Sequence, residues 1–129
     1  MAITPVSELV ARAKRQITSY APEVARDLVE AEEARLVDIR DPRELARDGR
    51  VPGAIHAPRG MLEFWVDPDS PYHKPVLATD ATLILFCASS WRSALAAKAL
   101  ADMGVERVAE VEGGFDAWSA AGLPVERDA

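Results

Sequence analysis

The chain has one cysteine, Cys87, and its neighbours in sequence give it a chemical reading. It ends the apolar run Thr82-Leu83-Ile84-Leu85-Phe86 and leads into Ala88-Ser89-Ser90-Trp91-Arg92-Ser93, where a helical stretch begins. A buried strand feeding a tight loop and then a helix turns the loop's backbone N–H groups and the positive helix end toward the loop's first residue. Such a place favours a thiolate and an anion bound beside it. An ordinary thiol, with a pKa of about 8.5, is mostly protonated at neutral pH, and helix N-termini and a nearby arginine lower that value. Arg92 supplies the nearby charge, so Cys87 is the candidate nucleophile. The competing reading is a buried, inert core thiol. Its place beyond the apolar run, ahead of three small residues, speaks for the nucleophile.

The bulk properties bound what surrounds this site. A chain of 129 residues suits one compact domain that needs neither disulfide nor metal to hold a core. Lone cysteines fit a reducing compartment, and no apolar stretch near the N-terminus resembles a signal peptide or a membrane span, so the expected location is cytoplasmic. A net charge of −6 argues against nucleic acid as a general partner, while leaving room for a small local anion site. The two histidines, His56 and His73, and one cysteine show no zinc-ligand spacing, so no metal is expected and both histidines read as structural or exposed.

The elements that must position Cys87 alternate between strands and helices. Val6 to Gln16 reads as a helix with Val6, Leu9, Val10 and Ala13 on one face and Ser7 as a cap. Ile17 to Tyr20 reads as a short edge strand, and Pro22 starts a helix running to about Glu33. Leu36 to Ile39 is a buried strand, Pro42 to Arg47 one or two helical turns, Val51-Pro52-Gly53 a turn, and Ala54 to Ala57 a short strand. Arg59 to Val66 forms a short helix, and Pro68, Pro71 and Pro75 then impose an irregular path to the Thr82–Phe86 strand. Ser93 to Met103 is a helix ended by Gly104, Arg107 to Val111 a strand, and Phe115 to Ala121 a last helix entered through Gly113-Gly114. The pattern predicts an α/β fold with a mostly parallel sheet covered on both faces. Ligands of such sheets bind beyond the carboxyl ends of the strands, where Cys87 stands. Residues 1–19 read as an N-terminal helical extension and 20–129 as the domain proper.

Four segments in order resemble the rhodanese family of sulfurtransferases: Leu36-Val37-Asp38-Ile39-Arg40 with Pro42 and Glu44; Gly49-Arg50-Val51-Pro52-Gly53-Ala54-Ile55-His56; Cys87 to Ser93; and Gly113-Gly114-Phe115-Asp116-Ala117-Trp118 with Gly122-Leu123-Pro124. The resemblance covers about Tyr20 to Glu126. It implies a central five-stranded parallel sheet flanked by helices, with the reactive cysteine first in a six-residue loop, Cys87 to Arg92. The related cell-cycle tyrosine phosphatases and arsenate reductases use a loop one residue longer, wide enough for a tetrahedral phosphate; the shorter loop suits a single sulfur on the cysteine. The family often has glycine where Ser90 stands, and a residue with Cβ there narrows or strains the loop.

The chemistry implied is a two-step displacement. Cys87 takes a sulfane sulfur from thiosulfate or a similar donor and passes it to a thiol or cyanide. Arg92 orients the anionic donor, and N–H groups from Ala88, Ser89, Ser90, Trp91, Arg92 and Ser93 hold the persulfide. Ser89, Ser90 and Ser93 either line the site or only cap the helix, roles that use the same N–H groups, and Trp91 either walls the pocket or packs on a neighbouring loop. Asp38 supports the loop from a neighbouring strand, Arg40 and Glu44 pair with each other, and Arg59 is either a second supporting residue or a plain ion-pair partner. Phe64, Trp65 and Tyr72 form a pocket rim or an ordinary local core, and Trp118 is packing. No cofactor is implied. The acceptor comes from outside the chain, since no second cysteine can resolve the persulfide. Two rivals remain: a persulfide carrier or sensing module acting on a protein partner, with the N-terminal helix either docking or capping its own domain, and, less favoured, a phosphatase or arsenate reductase.

Overall fold

The computed structural model describes residues 2–127. Five strands form one parallel sheet in the order β1-β5-β4-β2-β3: β1 Thr18–Tyr20, β2 Ala34–Asp38, β3 Ile55–His56, β4 Thr82–Phe86 and β5 Val108–Val111. The helices are α1 Val6–Gln16, α2 Pro22–Glu30, α3 Pro42–Asp48, α4 Leu62–Val66, α5 Trp91–Met103 and α6 Gly114–Ala120, with 3-10 turns at Arg59–Met61 and Pro75–Leu77. The predicted α/β sheet is therefore present, with β1 at one edge against β5.

Alternation along the strands sorts the core into two layers. Leu36, Ile84, Phe86, Ala109 and Val111 point to the side covered by Ala25 of α2 and by Phe115 and Trp118 of α6. Val37, Leu83, Leu85 and Cys87 point to the other, covered by Leu62 of α4 and by Ala96, Ala97 and Leu100 of α5. The central strand β4 is apolar on both faces, as a strand with helices on both sides must be. Helix α1 lies on α5 through Val10, Ala13 and Ala94, small residues that let the two backbones approach.

Local sequence accounts for most element ends. Asp41 caps α3 by accepting from the Arg43 N–H, while Glu44 reaches back to the Asp41 N–H, the reciprocal pair of a capping box. Pro22 occupies the first turn of α2, where its missing N–H costs nothing. The expected Ser7 cap is corrected: α1 begins after Pro5 and has no side-chain cap, and Val6 and Leu9 remain exposed while Val10 and Ala13 are buried. Helix α2 ends three residues before the expected Glu33, because Glu32 takes a left-handed conformation that turns the chain into β2.

Candidate active site

Strand β4 delivers Cys87 to the carboxyl edge of the sheet, and the loop that follows curls back so that the sulfur faces its own helix. The Ser90 N–H donates to Cys87 Sγ at 3.2 Å and the Ser93 N–H at 3.4 Å. Ser93 is the third residue of α5, whose N–H is ordinarily satisfied by a capping side chain. Here the cysteine sulfur takes that place. Ser90 precedes the helix yet makes no capping bond, so capping is corrected for its side chain, which is directed elsewhere. The thiol itself donates to Ser93 Oγ at 3.6 Å, and Cys87 is 1% exposed.

The curl requires an uncommon backbone. Ser90 has φ 84°, in the left-handed region that favours glycine, as the expected strain at this position demands. The conformation is held through the side chain: Ser90 Oγ donates to Glu110 Oε1 at 2.6 Å in a buried bond and accepts from Lys14 Nζ at 2.9 Å in a half-buried one. Ser93 Oγ donates to the same Glu110 oxygen at 2.7 Å, and Ser19 Oγ to the other at 2.7 Å. Glu110 is fully buried and lies on β5 beside β4, in register with Ser19 on one side and Leu85 on the other. None of Glu110, Lys14 and Ser19 was singled out from sequence. The one signal was an acidic residue between Ala109 and Val111 in an otherwise apolar strand.

The outer wall of the loop is fixed by α6. The Phe115 N–H donates to the Cys87 carbonyl at 2.7 Å and the Asp116 N–H to the Ala88 carbonyl at 3.0 Å. Those carbonyls are thereby turned outward, leaving the sulfur side of the curl to N–H groups. The approach leaves no room for a side chain at Gly114: a Cβ there would stand 2.4 Å from the Cys87 carbonyl oxygen, and its φ is +61°. Gly113-Gly114 is thus more than the turn expected from sequence.

Arg92 lies beside the loop, half-exposed, in a bidentate pair with Glu44 at 2.8 Å for both bonds. The hydrogen bonds to Glu44 lift the guanidinium above its ordinary value despite some burial, and the Cys87 sulfur adds to that pull. In return Arg92, with the Asp41 N–H, holds the Glu44 carboxyl down to about 2 against the opposing effect of burial. The expected Arg40–Glu44 pair is corrected: Glu44 serves Arg92, and Arg40 serves Asp38, with Nη2 to Asp38 Oδ2 at 2.7 Å. Among the described residues Asp38 makes no direct side-chain bond to the Cys87 loop. Its carboxylate is taken up by Arg40, whose guanidinium lies 4.1 Å from the Phe115 ring centroid and donates to the Gly49 carbonyl.

Arg59 takes the plain alternative, pairing with Glu63 at 2.6 Å across one helical turn, and makes no bond to the Cys87 loop. Trp91 and Ser89 are exposed on the loop's outer side, while Ala88 is half-buried. Phe64 and Tyr72 are exposed and stand edge to face at 6.4 Å, whereas Trp65 packs on the α4–α5 core with Lys74 over its ring. His56 and His73 each bond a backbone carbonyl, of Arg40 and Trp65 respectively. Trp118 is buried with its indole N–H on the Pro124 carbonyl. Two wide hollows, about 540 and 1020 Å³, lie at the opposite, amino-terminal end of β4 and β5, and Cys87 lines neither.

A thiol at the head of a helix, receiving the Ser90 and Ser93 N–H groups with an arginine beside the loop, has the donors that a sulfur anion would need. A model of the rhodanese-like domain matches residues 21–121. The chain belongs to the rhodanese-like family. Thiosulfate sulfurtransferase GlpE of Actinobacillus pleuropneumoniae is 35% identical to this rhodanese-like chain over 84% of it and 93% of the relative. The polysulfide-sulfur transferase of Wolinella succinogenes, a homodimer in solution, superposes with a TM-score of 0.71 at 31% identity, over 95% of this chain and 87% of that one. A Rhodopseudomonas palustris protein, described as of unknown function and a possible tyrosine phosphatase, superposes with a TM-score of 0.92 at 44% identity, over 98% and 97% of the two chains. The range matched by the family begins at residue 21, so helix α1 lies outside it. Among the described residues no helix is long and apolar enough to cross a membrane.

Proposed function

We propose that the protein is a sulfurtransferase that loads a sulfane sulfur on Cys87 as a persulfide, with thiosulfate or a similar anionic sulfur compound as donor. The observation that carries this reading is the Cys87 sulfur receiving the Ser90 and Ser93 N–H groups at the head of α5. Cys87 thiolate attacks the outer sulfur of thiosulfate, an S–S bond to Cys87 forms, and the bond to the sulfonate sulfur breaks as sulfite leaves with its electron pair. The cradle that favours the thiolate also favours the persulfide anion, so charge stays near the same donors through both steps. A thiolate or cyanide then takes the outer sulfur and returns Cys87 to its thiolate form.

Arg92 is the donor-facing cation in this reading, stiffened by Glu44 so that part of its fork is committed to the protein. Cys87 is the sole cysteine, which makes the acceptor an external nucleophile: a low-molecular-weight thiol, a protein thiol or, in an assay, cyanide. A cytoplasmic setting suits such an unpaired thiol.

The likeness to a possible tyrosine phosphatase raises a second reading. Phosphomonoester hydrolysis asks for a wider loop and for a carboxylic acid to protonate the leaving alkoxide. Glu44 and Glu110, the carboxylates bonded to loop residues, are already held by Arg92 and by three hydroxyls with Lys14. The site therefore favours sulfur.

The test is thiosulfate:cyanide sulfur transfer by the wild type and Cys87→Ser, with intact mass after thiosulfate alone and a phosphomonoester assay alongside. Turnover with a Cys87-dependent gain of one sulfur, about 32 Da, is expected of this nucleophile chemistry. Stable loading without repeated turnover would favour a carrier that hands sulfur to a protein partner. Absence of both loading and turnover would overturn the thiosulfate reading, and phosphomonoester hydrolysis would replace it.

A further inference from the structure

Helix α1 lies outside the range matched by the family, yet it sends a lysine to the active-site loop. Lys14 Nζ donates to Ser90 Oγ at 2.9 Å and to Glu112 Oε1 at 3.1 Å, and stands 3.5 Å from Glu110 Oε2. Burial alone pulls its ammonium group down. The Glu112 bond and the attraction of Glu110 and Glu112 outweigh that and hold it above the ordinary lysine value, so Lys14 stays a cation.

The arrangement answers an electrostatic difficulty that the nucleophile creates. Ser93 Oγ lies between the Cys87 sulfur and a fully buried carboxylate, Glu110. While the thiol is protonated, its proton points to Ser93 and the Ser93 proton points to Glu110, so every group is satisfied. Once the thiol proton leaves to solvent, Ser93 has one proton and two anionic acceptors. A like charge this close disfavours the thiolate. Glu110 retains Ser90 and Ser19 as donors, and the Lys14 cation sits against its far oxygen.

We propose that Lys14 is a positioning residue of the sulfur site, which offsets the Glu110 charge and holds the left-handed Ser90, so that Cys87 can carry negative charge one hydroxyl away from a buried carboxylate. The extension that precedes the common domain is thereby part of the active site. This rests on Cys87 being the nucleophile. The other charged groups around the sulfur are Arg92 with Glu44 behind it, Glu112 on Lys14, and Asp116, whose N–H bonds the Ala88 carbonyl at the start of α6. None of them is bonded to Glu110 or Ser93, and of these groups Glu112 alone loses a partner when Lys14 is replaced.

The test is the pH midpoint of Cys87 ionisation, read from thiolate ultraviolet absorbance in protein without any sulfur donor; the single cysteine makes the signal specific. Lys14→Met is expected to raise the midpoint by about one pH unit and Glu110→Gln to lower it by about one, each removing one charge near the sulfur. The double variant returns to within a few tenths of the wild type, and Lys14→Arg keeps the wild-type value. A folded Lys14→Met with an unmoved midpoint, or single variants that shift in the same direction, would overturn the proposal. A buried carboxylate stripped of its cation can unfold a chain, so Glu110→Gln and the double variant form an independent arm, in which equal midpoints overturn the proposal. The readout is separate from sulfur transfer. Opposed midpoint shifts in a protein that takes no sulfur from thiosulfate would remove the donor and keep Lys14 in its role, and unmoved midpoints in an active enzyme would do the reverse.

Discussion

Two buried carboxylates flank the last residues of β4, and they are put to opposite uses. Asp38 closes β2 in register with Phe86, and Glu110 lies on β5 in register with Leu85. Strand alternation sends Asp38 to the face of α6 and Glu110 to the face of α5. Asp38 has a guanidinium within its own segment, and both of its oxygens are taken by Arg40 at 2.7 to 3.2 Å. Glu110 has no arginine; its donors are hydroxyls of β1, of the Cys87 loop and of the first turn of α5, with a lysine at the rim. A carboxylate enclosed by its own cation is a fixture of the fold. One shared among three hydroxyls, of which Ser93 Oγ also receives the Cys87 thiol, is tied to the sulfur through a single side chain.

The sharpest way to break the comparison is Arg40→Met. It leaves the Asp38 carboxylate buried with the residue-40 N–H as its remaining donor, and stripping one partner from a buried pair costs about 3–5 kcal/mol. The denaturation midpoint should fall accordingly, while the thiolate midpoint of Cys87 in the folded fraction stays near the wild-type value. Asp38→Asn with Arg40→Met should recover much of the loss, because no charge is then left unpaired. A thiolate midpoint that moves with Arg40→Met as far as with Glu110→Gln would erase the distinction between the two carboxylates.

Ser93→Ala touches the other side and is expected to be smaller in stability and larger in chemistry. It removes one of the two donors on Glu110 Oε1 and the hydroxyl facing the sulfur, about 1–2 kcal/mol by the usual worth of a buried hydrogen bond. The Ser93 N–H on Cys87 Sγ is untouched. The rate of sulfur loading should fall roughly tenfold, a barrier change of about 1.4 kcal/mol, with the helix content retained in the far-ultraviolet circular dichroism. An unchanged loading rate would mean that the hydroxyl serves Glu110 alone.

What sequence made legible follows from which interactions are local. Strand β4 agrees with expectation to the residue, because its apolar run and the loop chemistry after it lie side by side in the chain. The cap of α3, Asp41 with Glu44 three residues on, is just as local, yet it is no part of the expectations above. Cys87, Ser90 and Ser93 were legible as one loop. Glu44 was read as a neighbour of Arg40 because the two are close in sequence, and the structure gives it instead to Arg92, 48 residues away. Lys14 and Glu110 were missed for the same reason: Lys14 meets Ser90 across 76 residues, and Ser93 meets Glu110 across two parallel strands. A lysine on an exposed-looking helix carries no local mark of such a partner. The glutamate did carry one, since an acid inside a strand buried on both faces must find donors.

Glu44 supplies the smallest effect and a control for the comparison, being a third carboxylate near the loop but bonded to a half-exposed arginine. Its folded value, held at about 2 against an ordinary 4.5, means that the ionised form is favoured by folding. The stability this adds is complete above about 4.5 and is lost as pH falls from there toward about 2. Glu44→Gln should therefore leave stability at neutral pH nearly unchanged, since pairs with a half-exposed partner contribute about 0–1 kcal/mol. The acid limb of the stability profile should become shallower, with Asp41, held at about 2 chiefly by Arg43, keeping its own share of the slope. Denaturation midpoints across that pH range give the measurement. The thiolate midpoint of Cys87 should move less than with Glu110→Gln, because Arg92 stays charged and gains freedom toward the sulfur rather than losing it. If Glu44→Gln shifted the thiolate as strongly as Glu110→Gln, distance from the loop rather than the shared hydroxyl would govern the sulfur, and the special standing of Glu110 would fall.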